Sequence, residues 1–283
     1  MTAFSKNKMT RFAAIMLISL WPSLSAAWSG GGHSIIAYIA ESHLSAQARR
    51  GVQDLLKEEN LNSIEQVANW ADAMRSLKVP QQPSHALRLP LDGSPYDRKR
   101  DCGNNMCATW AIQAAINCLA DAKATSEAKI TALKYLVHLT GDIHQPLHAS
   151  KDTGQRKVLF AGEQLSLHQV WDGGITRSLK IGNRKLAGMV DLQIPDSTVD
   201  LDPIHWAYES RDIARDEIYP ELQGLPTQNG ATVLPADYAE RHWPTVEKRL
   251  KLAGLRLAGV LNAIYSGNAS LVSQGPSPED TEE

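Results

Sequence analysis

Apolar residues recur every three or four positions through most of the chain, the repeat of an amphipathic helix. In "HSIIAYIAESHLSAQARRGVQDLLKEE" Ile35, Ile36, Ile39 and Leu44 are continued by Ala48, Val52, Leu55 and Leu56. "SIEQVANWADAMRSL" opens on Ser63 with Gln66 three residues later, the pattern of a capping box at a helix start. "TWAIQAAINCLADA" and "SEAKITALKYLVHLTGDIHQ" read as further helices, the second with Ile130, Leu133, Leu136 and Val137 on one face. "WAYESRDIARDEIY" and "YAERHWPTVEKRLKLAGLRLAGVLNAIY" read as the closing helices. The best strand signal lies in "RKVLFAGEQLSLHQVWD", with a short hairpin turning at Ala161-Gly162. Val79 to Asn105 and Lys180 to Pro203 read as Pro- and Gly-rich loops, and the polar end from Ser266, "GPSPEDTEE", as a disordered tail. The pattern predicts a mainly α fold, a single helical domain with long loops and a short β-hairpin, with no internal repeat.

The first 27 residues break this pattern. Lys6, Lys8 and Arg11 precede a short apolar run from Phe12 to Leu20, and Ser25-Ala26-Ala27 is a small-residue cleavage site. This is the order of a secretory signal, and the run falls short of the roughly 20 apolar residues that span a bilayer. The expected division is a signal peptide over 1–27, a domain over 28–265 and a polar tail over 266–283. Removing 27 of the 283 residues leaves 256, with 26 basic and 31 acidic residues, a formal charge of −5. Such a chain is not a charge-driven nucleic-acid binder of the usual basic kind; bound metal ions could supply local positive charge. Export implies a periplasmic or extracellular location and oxidising surroundings. A disulfide between Cys102 and Cys107, five apart in "RDCGNNMC", is therefore expected, with Cys118 left as a buried, inert thiol.

The chemistry sits in histidines and aspartates. His138 and Asp142 are four apart in "YLVHLTGDIHQPLH", and His168 and Asp172 repeat that spacing in "LHQVWD". An i,i+4 pair projects from one helix face, which suits two ligands of one ion. His144, His148, His33, Asp72 in "ANWADAMR" and His85 in "PSHALRLP" complete the candidates. Taken singly, each is equally an ordinary packed side chain. Taken together, carboxylates on apolar helix faces need a partner, and buried charges are paired or bound to metal. Mixed nitrogen and oxygen donors suit zinc. "LSAAWSGGGH" adds a further feature: cleavage after Ala27 places Trp28 at a new N-terminus, five residues before His33.

In this order "WSGGGH", "ANWADAMR", "SHALRLPL", "RDCGNNMCATWAI", "YLVHLTGDIHQPLH", "LHQVWD", "WAYES" and "LAGLRLAGVLN" resemble the zinc-dependent S1/P1 nuclease family. The resemblance covers nearly all of the chain after residue 27. It implies the phospholipase C/P1 nuclease type of helical fold and three zinc ions (Zn2+). Asp72, His85, His138 and Asp142 would hold one ion. Asp142 would bridge to a second, completed by His33, reached through a three-glycine turn, and by the amino and carbonyl groups of Trp28. His148, His168 and Asp172 would hold the third. His144 fits none of these positions and reads as a supporting residue; His43, His205 and His242 read as surface or packing residues. The resemblance also pairs Cys102 with Cys107 and leaves Cys118 alone. It makes Asp72 and Arg75 catalytic, Asp72 orienting or deprotonating the attacking water and Arg75 steadying Asp72 or contacting phosphate.

The implied activity is a secreted endonuclease that cleaves P–O3′ bonds of single-stranded RNA and DNA to 5′-nucleotides, with 3′-nucleotidase activity. No stable protein partner or membrane anchor is implied, and a monomer is expected. Two departures from the family pattern bear on base binding. Ala86 stands where relatives often carry an aromatic residue, and "KDTGQRKV" is shorter than the usual stretch and has no Asn. Leu87 to Leu91 and Thr153 to Lys157 are still expected to line the base pocket. The alternative readings are a zinc-dependent phospholipase C, which shares fold and metal centre, and a secreted zinc-binding protein without activity.

Overall fold

The computed structural model describes residues 28–104, 106–193 and 200–272, so the expected signal peptide and the last part of the polar tail lie outside the described residues. Helices dominate: α1 (Gly30–Ser42), α2 (Ala46–Lys57), α3 (Trp70–Ser76), the single turn α4 (Arg98–Asp101), α5 (Ala108–Ala120) and α6 (Ser126–Ile143). After a hairpin of β1 (Lys157–Phe160) and β2 (Glu163–Ser166) come α7 (Leu167–Gln169), a π turn over Val170–Gly174 and α8 (Ile175–Ser178), which run on as one rod. Then follow α9 (Asn183–Gln193), α10 (Pro203–Ile213), a second π turn over Ala214–Ile218 and α11 (Tyr219–Glu221). Strands β3 (Thr227–Gln228) and β4 (Ala231–Val233) and the long helix α12 (Tyr238–Tyr265) complete the chain.

The core forms where the apolar stripes meet. Helix α5 lies along α6, and α1 packs against α12 and α9. In α12 Val246, Leu250, Ala253, Leu257, Val260, Leu261 and Ile264 are buried at the predicted three- and four-residue spacing. Trp28, Trp171 and Trp206 are among the largest fully buried side chains. Thr125 caps α6 by accepting from Ala128 N at 3.2 Å. The hairpin turns at Ala161 (φ 49°) and Gly162 (φ 85°), the pair of left-handed residues that a tight two-residue turn requires. Cys102 and Cys107 form a disulfide with a Cα–Cα distance of 5.3 Å, whereas Cys118 is free and only half-buried.

The structure alters six features of the sequence pattern. The stripe from Ile35 to Leu56 belongs to two helices, because Ser45 caps α2 through Ala48 N at 3.1 Å and ends the run. The Ser63–Gln66 capping box is present but heads a 3-10 turn, Ile64–Val67. Helix α3 starts only at Trp70, since the Ala68 carbonyl is diverted to accept from His138 Nδ1 at 2.7 Å and leaves the helical ladder. The segment expected as a loop from Lys180 to Pro203 contains α9, whose Leu186 and Val190 are buried. The hairpin belongs to a four-stranded sheet of order β2-β1-β4-β3, with β1 and β4 parallel; strands of two and three residues are too short to carry an alternating signature. At the C-terminal end a 3-10 turn, Ala269–Leu271, follows α12 and Val272 is buried against the core.

Candidate metal centre

Helix α6 is the spine of the site. His138 and Asp142, one turn apart near its C-terminal end, are both fully buried. The Asp142 carboxylate divides its two oxygens: Oδ1 lies 3.2 Å from His33 Nε2, and Oδ2 lies 3.2 Å from His85 Nδ1 and 3.3 Å from His138 Nε2. His85 Nδ1 is also 3.4 Å from Asp72 Oδ1 and 3.1 Å from His138 Nε2. His33 enters from α1 and stacks on the His138 ring, centroids 3.9 Å apart. It fits because residue 141 is glycine: a Cβ there would stand 2.7 Å from His33 Nδ1.

A second cluster lies where α7 meets the turn after α6. His148 Nε2 faces His168 Nε2 at 3.0 Å, with Asp172 Oδ1 3.9 Å from the first and Asp172 Oδ2 3.6 Å from the second. His168 sits in the first turn of α7, capped by Ser166 and Gln169 in a reciprocal box. Asp172 lies on the π turn, a form of helix frequent at functional sites.

Hydrogen bonds fix how these rings can act. A carbonyl oxygen can only accept, so a ring nitrogen bonded to one must carry the proton. Ala68 O, His85 O and Thr153 O accept from Nδ1 of His138, His148 and His168 at 2.7, 2.6 and 2.7 Å. With Nδ1 committed to a carbonyl, each ring turns its Nε2 inward, the usual way in which a second layer orients metal-binding imidazoles. Two lone pairs facing at 3.0 Å repel unless a cation lies between them. Burial, and then the charge of His168, hold His148 well below the ordinary histidine range, so a proton is a poor cation here. Burial likewise lowers His168, to about 4. Burial, and then His138, lower His33, so its contact with Asp142 is not an ion pair at neutral pH. Burial alone would lower His85, but Asp142 and Asp72 outweigh it and raise the ring to about 9. Burial would raise Asp142, but His138 and His85 outweigh it and hold the carboxylate ionised.

The donor set fits metal ions. Both Asp142 oxygens and both His33 nitrogens are buried without a hydrogen-bond partner, a cost of about 1–3 kcal/mol for each group left so. Three groups of donors converge: His33, His138 and Asp142; Asp72, His85 and His138; His148, His168 and Asp172. Most of the separations given above cluster near the roughly 3.3 Å between ligand atoms of a tetrahedral ion with bonds of about 2.0–2.1 Å.

Residues 28–266 match the family model described as S1/P1 Nuclease. The chain belongs to the S1/P1 nuclease family. Among relatives it is 29% identical to Nuclease S1 of Aspergillus oryzae over 276 residues, 86% of this chain and 93% of that protein. Identity to Endonuclease 2 of Arabidopsis thaliana is 29% over 289 residues, 92% of this chain and 99% of that protein. Nuclease P1 of Penicillium citrinum is 30% identical over 168 residues, 56% of this chain and 62% of that protein. As a member of the S1/P1 nuclease family this chain is a metal-dependent hydrolase of phosphodiester bonds in nucleic acid, and three His/Asp groups stand ready for metal.

All eight histidines and aspartates expected at the centre thus fall into two adjoining clusters. Trp28 is buried beside them: a Cβ on Gly32 would lie 2.7 Å from Trp28 Cβ, and Ser29 N donates to Asp172 O at 2.6 Å. Gly30–Gly32 form the first turn of α1 rather than a free turn, and it is the helix that presents His33. Arg75 is exposed, one turn beyond Asp72 on α3. His144 stands outside the clusters, donating from Nδ1 to Thr140 O at 2.7 Å and accepting at Nε2 from Arg256 at 2.9 Å. His43, His205 and His242 pair with Asp191, Asp200 and Glu221 away from the centre.

Sequence reasoning missed Gln145. Its Nε2 donates to Asp172 Oδ1 at 2.5 Å, and its Oε1 accepts from Leu147 N at 2.5 Å. The available signal was its place directly before Pro146, the N-cap position of a turn that the proline begins, Pro146–His148. The 153–157 stretch, expected to line a base pocket, has a use the sequence did not show: Thr153 O holds the His168 ring and Gly154 O accepts from His168 N at 2.8 Å.

Proposed function

We propose that this chain is an exported endonuclease that holds three zinc ions and cleaves P–O3′ bonds of single-stranded RNA and DNA, releasing 5′-nucleotides and acting also as a 3′-nucleotidase. The observation that carries the proposal is the divided carboxylate of Asp142, one oxygen toward His33 and the other toward His85 and His138, beside the opposed nitrogens of His148 and His168. Asp72, His85, His138 and Asp142 hold one ion; Asp142, His33 and the Trp28 terminus hold the second; His148, His168 and Asp172 hold the third. The family match begins at Trp28, the residue that signal cleavage would expose, which supports its amino group as a ligand.

When bound, the ions act as Lewis acids on the phosphate and lower the pKa of water. The chain's own residues do the rest. Asp72 is the site carboxylate most open to solvent, with 16% side-chain exposure against 0% for Asp142 and 6% for Asp172. It takes the proton of the attacking water as the oxygen bonds to phosphorus and the P–O3′ bond breaks, leaving a 5′-phosphate and a 3′-oxyanion that takes a proton from solvent to become the 3′-hydroxyl. Arg75, one turn away at the rim, steadies Asp72 and meets the phosphate. Single strands are preferred because a duplex cannot present an unstacked base.

The test is elemental analysis of the processed protein beside hydrolysis of single-stranded RNA, single-stranded DNA and phosphatidylcholine by one sample. Three zinc ions with cleavage of the nucleic acids supports the reading. Hydrolysis of phosphatidylcholine alone assigns a phospholipase C, and full metal loading without any phosphoester cleavage assigns a zinc-binding protein.

A further inference from the structure

Arg88 is a half-buried cation next to the His148 cluster that no carboxylate neutralises among the described residues. Segments 85–89 and 147–151 run side by side. Leu87 N donates to His148 O at 3.0 Å, Leu89 N to Ala149 O at 3.1 Å and Lys151 N to Leu89 O at 2.8 Å. Within this zipper Arg88 Nη1 donates to Leu147 O at 3.0 Å and Ser150 O at 3.3 Å, bracketing His148. The Nε and Nη2 atoms take no acceptor among the described residues, and together they form the edge of a guanidinium that grips a phosphate with two parallel hydrogen bonds.

Charge points the same way. Burial, and then the charge of Arg75, hold Arg88 below its ordinary range, and the remaining group acting on it is Tyr219. Arg75 on α3 thus adds a second like charge that acts on Arg88. Like charges gathered at a half-buried position are costly unless an anion joins them.

We propose that Arg88 is a substrate-binding residue that holds a phosphate group of the nucleic-acid strand beside the His148–His168–Asp172 cluster. This rests on the nuclease reading above. The phosphate is either the scissile one or its neighbour on the strand, and the chemistry of recognition is the same for both. Position 88 lies two residues beyond Ala86, where this chain lacks an aromatic platform, so a phosphate contact there anchors the strand through its backbone and not through a base.

The experiment compares wild type, Arg88→Gln and Arg88→Lys as metal-loaded proteins. Each is assayed on a single-stranded oligonucleotide and on a dinucleoside monophosphate, over a range of salt concentrations. Arg88→Gln is expected to raise KM about tenfold or more with kcat little changed, since a hydrogen bond to a charged group is worth about 1.5–3 kcal/mol. It should also flatten the dependence of log kcat/KM on log salt by about 0.7, the loss of one phosphate contact on a single strand. Arg88→Lys keeps the charge and should keep the salt slope. A KM effect on the dinucleoside monophosphate assigns the scissile phosphate; an effect on the longer strand alone assigns its neighbour. Affinity for inorganic phosphate, measured by calorimetry, should fall in Arg88→Gln when the scissile phosphate is the one held. A wild type that cleaves while Arg88→Gln keeps its KM and salt slope overturns the inference, as does an Arg88→Lys variant whose salt slope is as flat as that of Arg88→Gln. A wild type that cleaves neither substrate overturns the nuclease reading instead, and unchanged phosphate affinity in Arg88→Gln would then overturn this inference too.

Discussion

Gln145 joins the two clusters of the metal centre: its side-chain Nε2 donates to Asp172 Oδ1 at 2.5 Å while its backbone N donates to Asp142 O at 3.0 Å. A carboxylate held this way presents a fixed face to an ion, and loss of such outer partners typically costs about 10–100-fold in metal affinity. Gln145→Leu is therefore expected to release the His148–His168–Asp172 ion first, with the other sites still loaded. Chelator competition followed by elemental analysis measures this, and equal release from every site would refute it.

Asp142 and His144 are two residues apart but serve different parts of the molecule. Asp142→Asn should remove metal from both groups that share the carboxylate and abolish activity. His144→Ala leaves Arg256 without its acceptor at Nε2 and should lower stability by about 1–3 kcal/mol with metal content intact. Thermal unfolding and metal content of the two variants separate these outcomes; equal metal loss in both would contradict the division.

Trp28 offers a chain-end test. A protein that retains one residue ahead of Trp28 carries an amide there, which cannot ligate as an amine does. It should bind less metal at the His33 group and lose most activity. Full metal content and activity in such a protein would exclude the terminal amine as a ligand.

The acid limb of stability should report Glu209. Burial would raise its carboxyl, but Arg256 and Arg249 outweigh burial and hold it at about 2, against an ordinary 4.5. A carboxyl lowered by folding stabilises the protein above the ordinary value, and that share is lost as pH falls through 4.5 toward about 2. Glu209→Gln should thus melt lower than wild type near pH 7, with the difference shrinking between pH 4.5 and 2. Melting curves across that range check the sign, and a gap that widens in acid would contradict it.

The sequence by itself determined the helices with long stripes, the hairpin at Ala161-Gly162, the disulfide pair and the four-residue spacing of the His138–Asp142 and His168–Asp172 pairs. Each of these is written in neighbours a few residues apart, where backbone period and turn chemistry act. The tertiary structure decided which donors share an ion, since His85 and His138 are 53 residues apart and His148 and His168 are 20 apart. It also decided the break before α3, made when His138 takes the Ala68 carbonyl from 70 residues away, and the roles of Gln145 and Arg88. Such contacts join points with no common local pattern, and they are set only when the apolar faces pack and bring the polar groups between them within bonding distance.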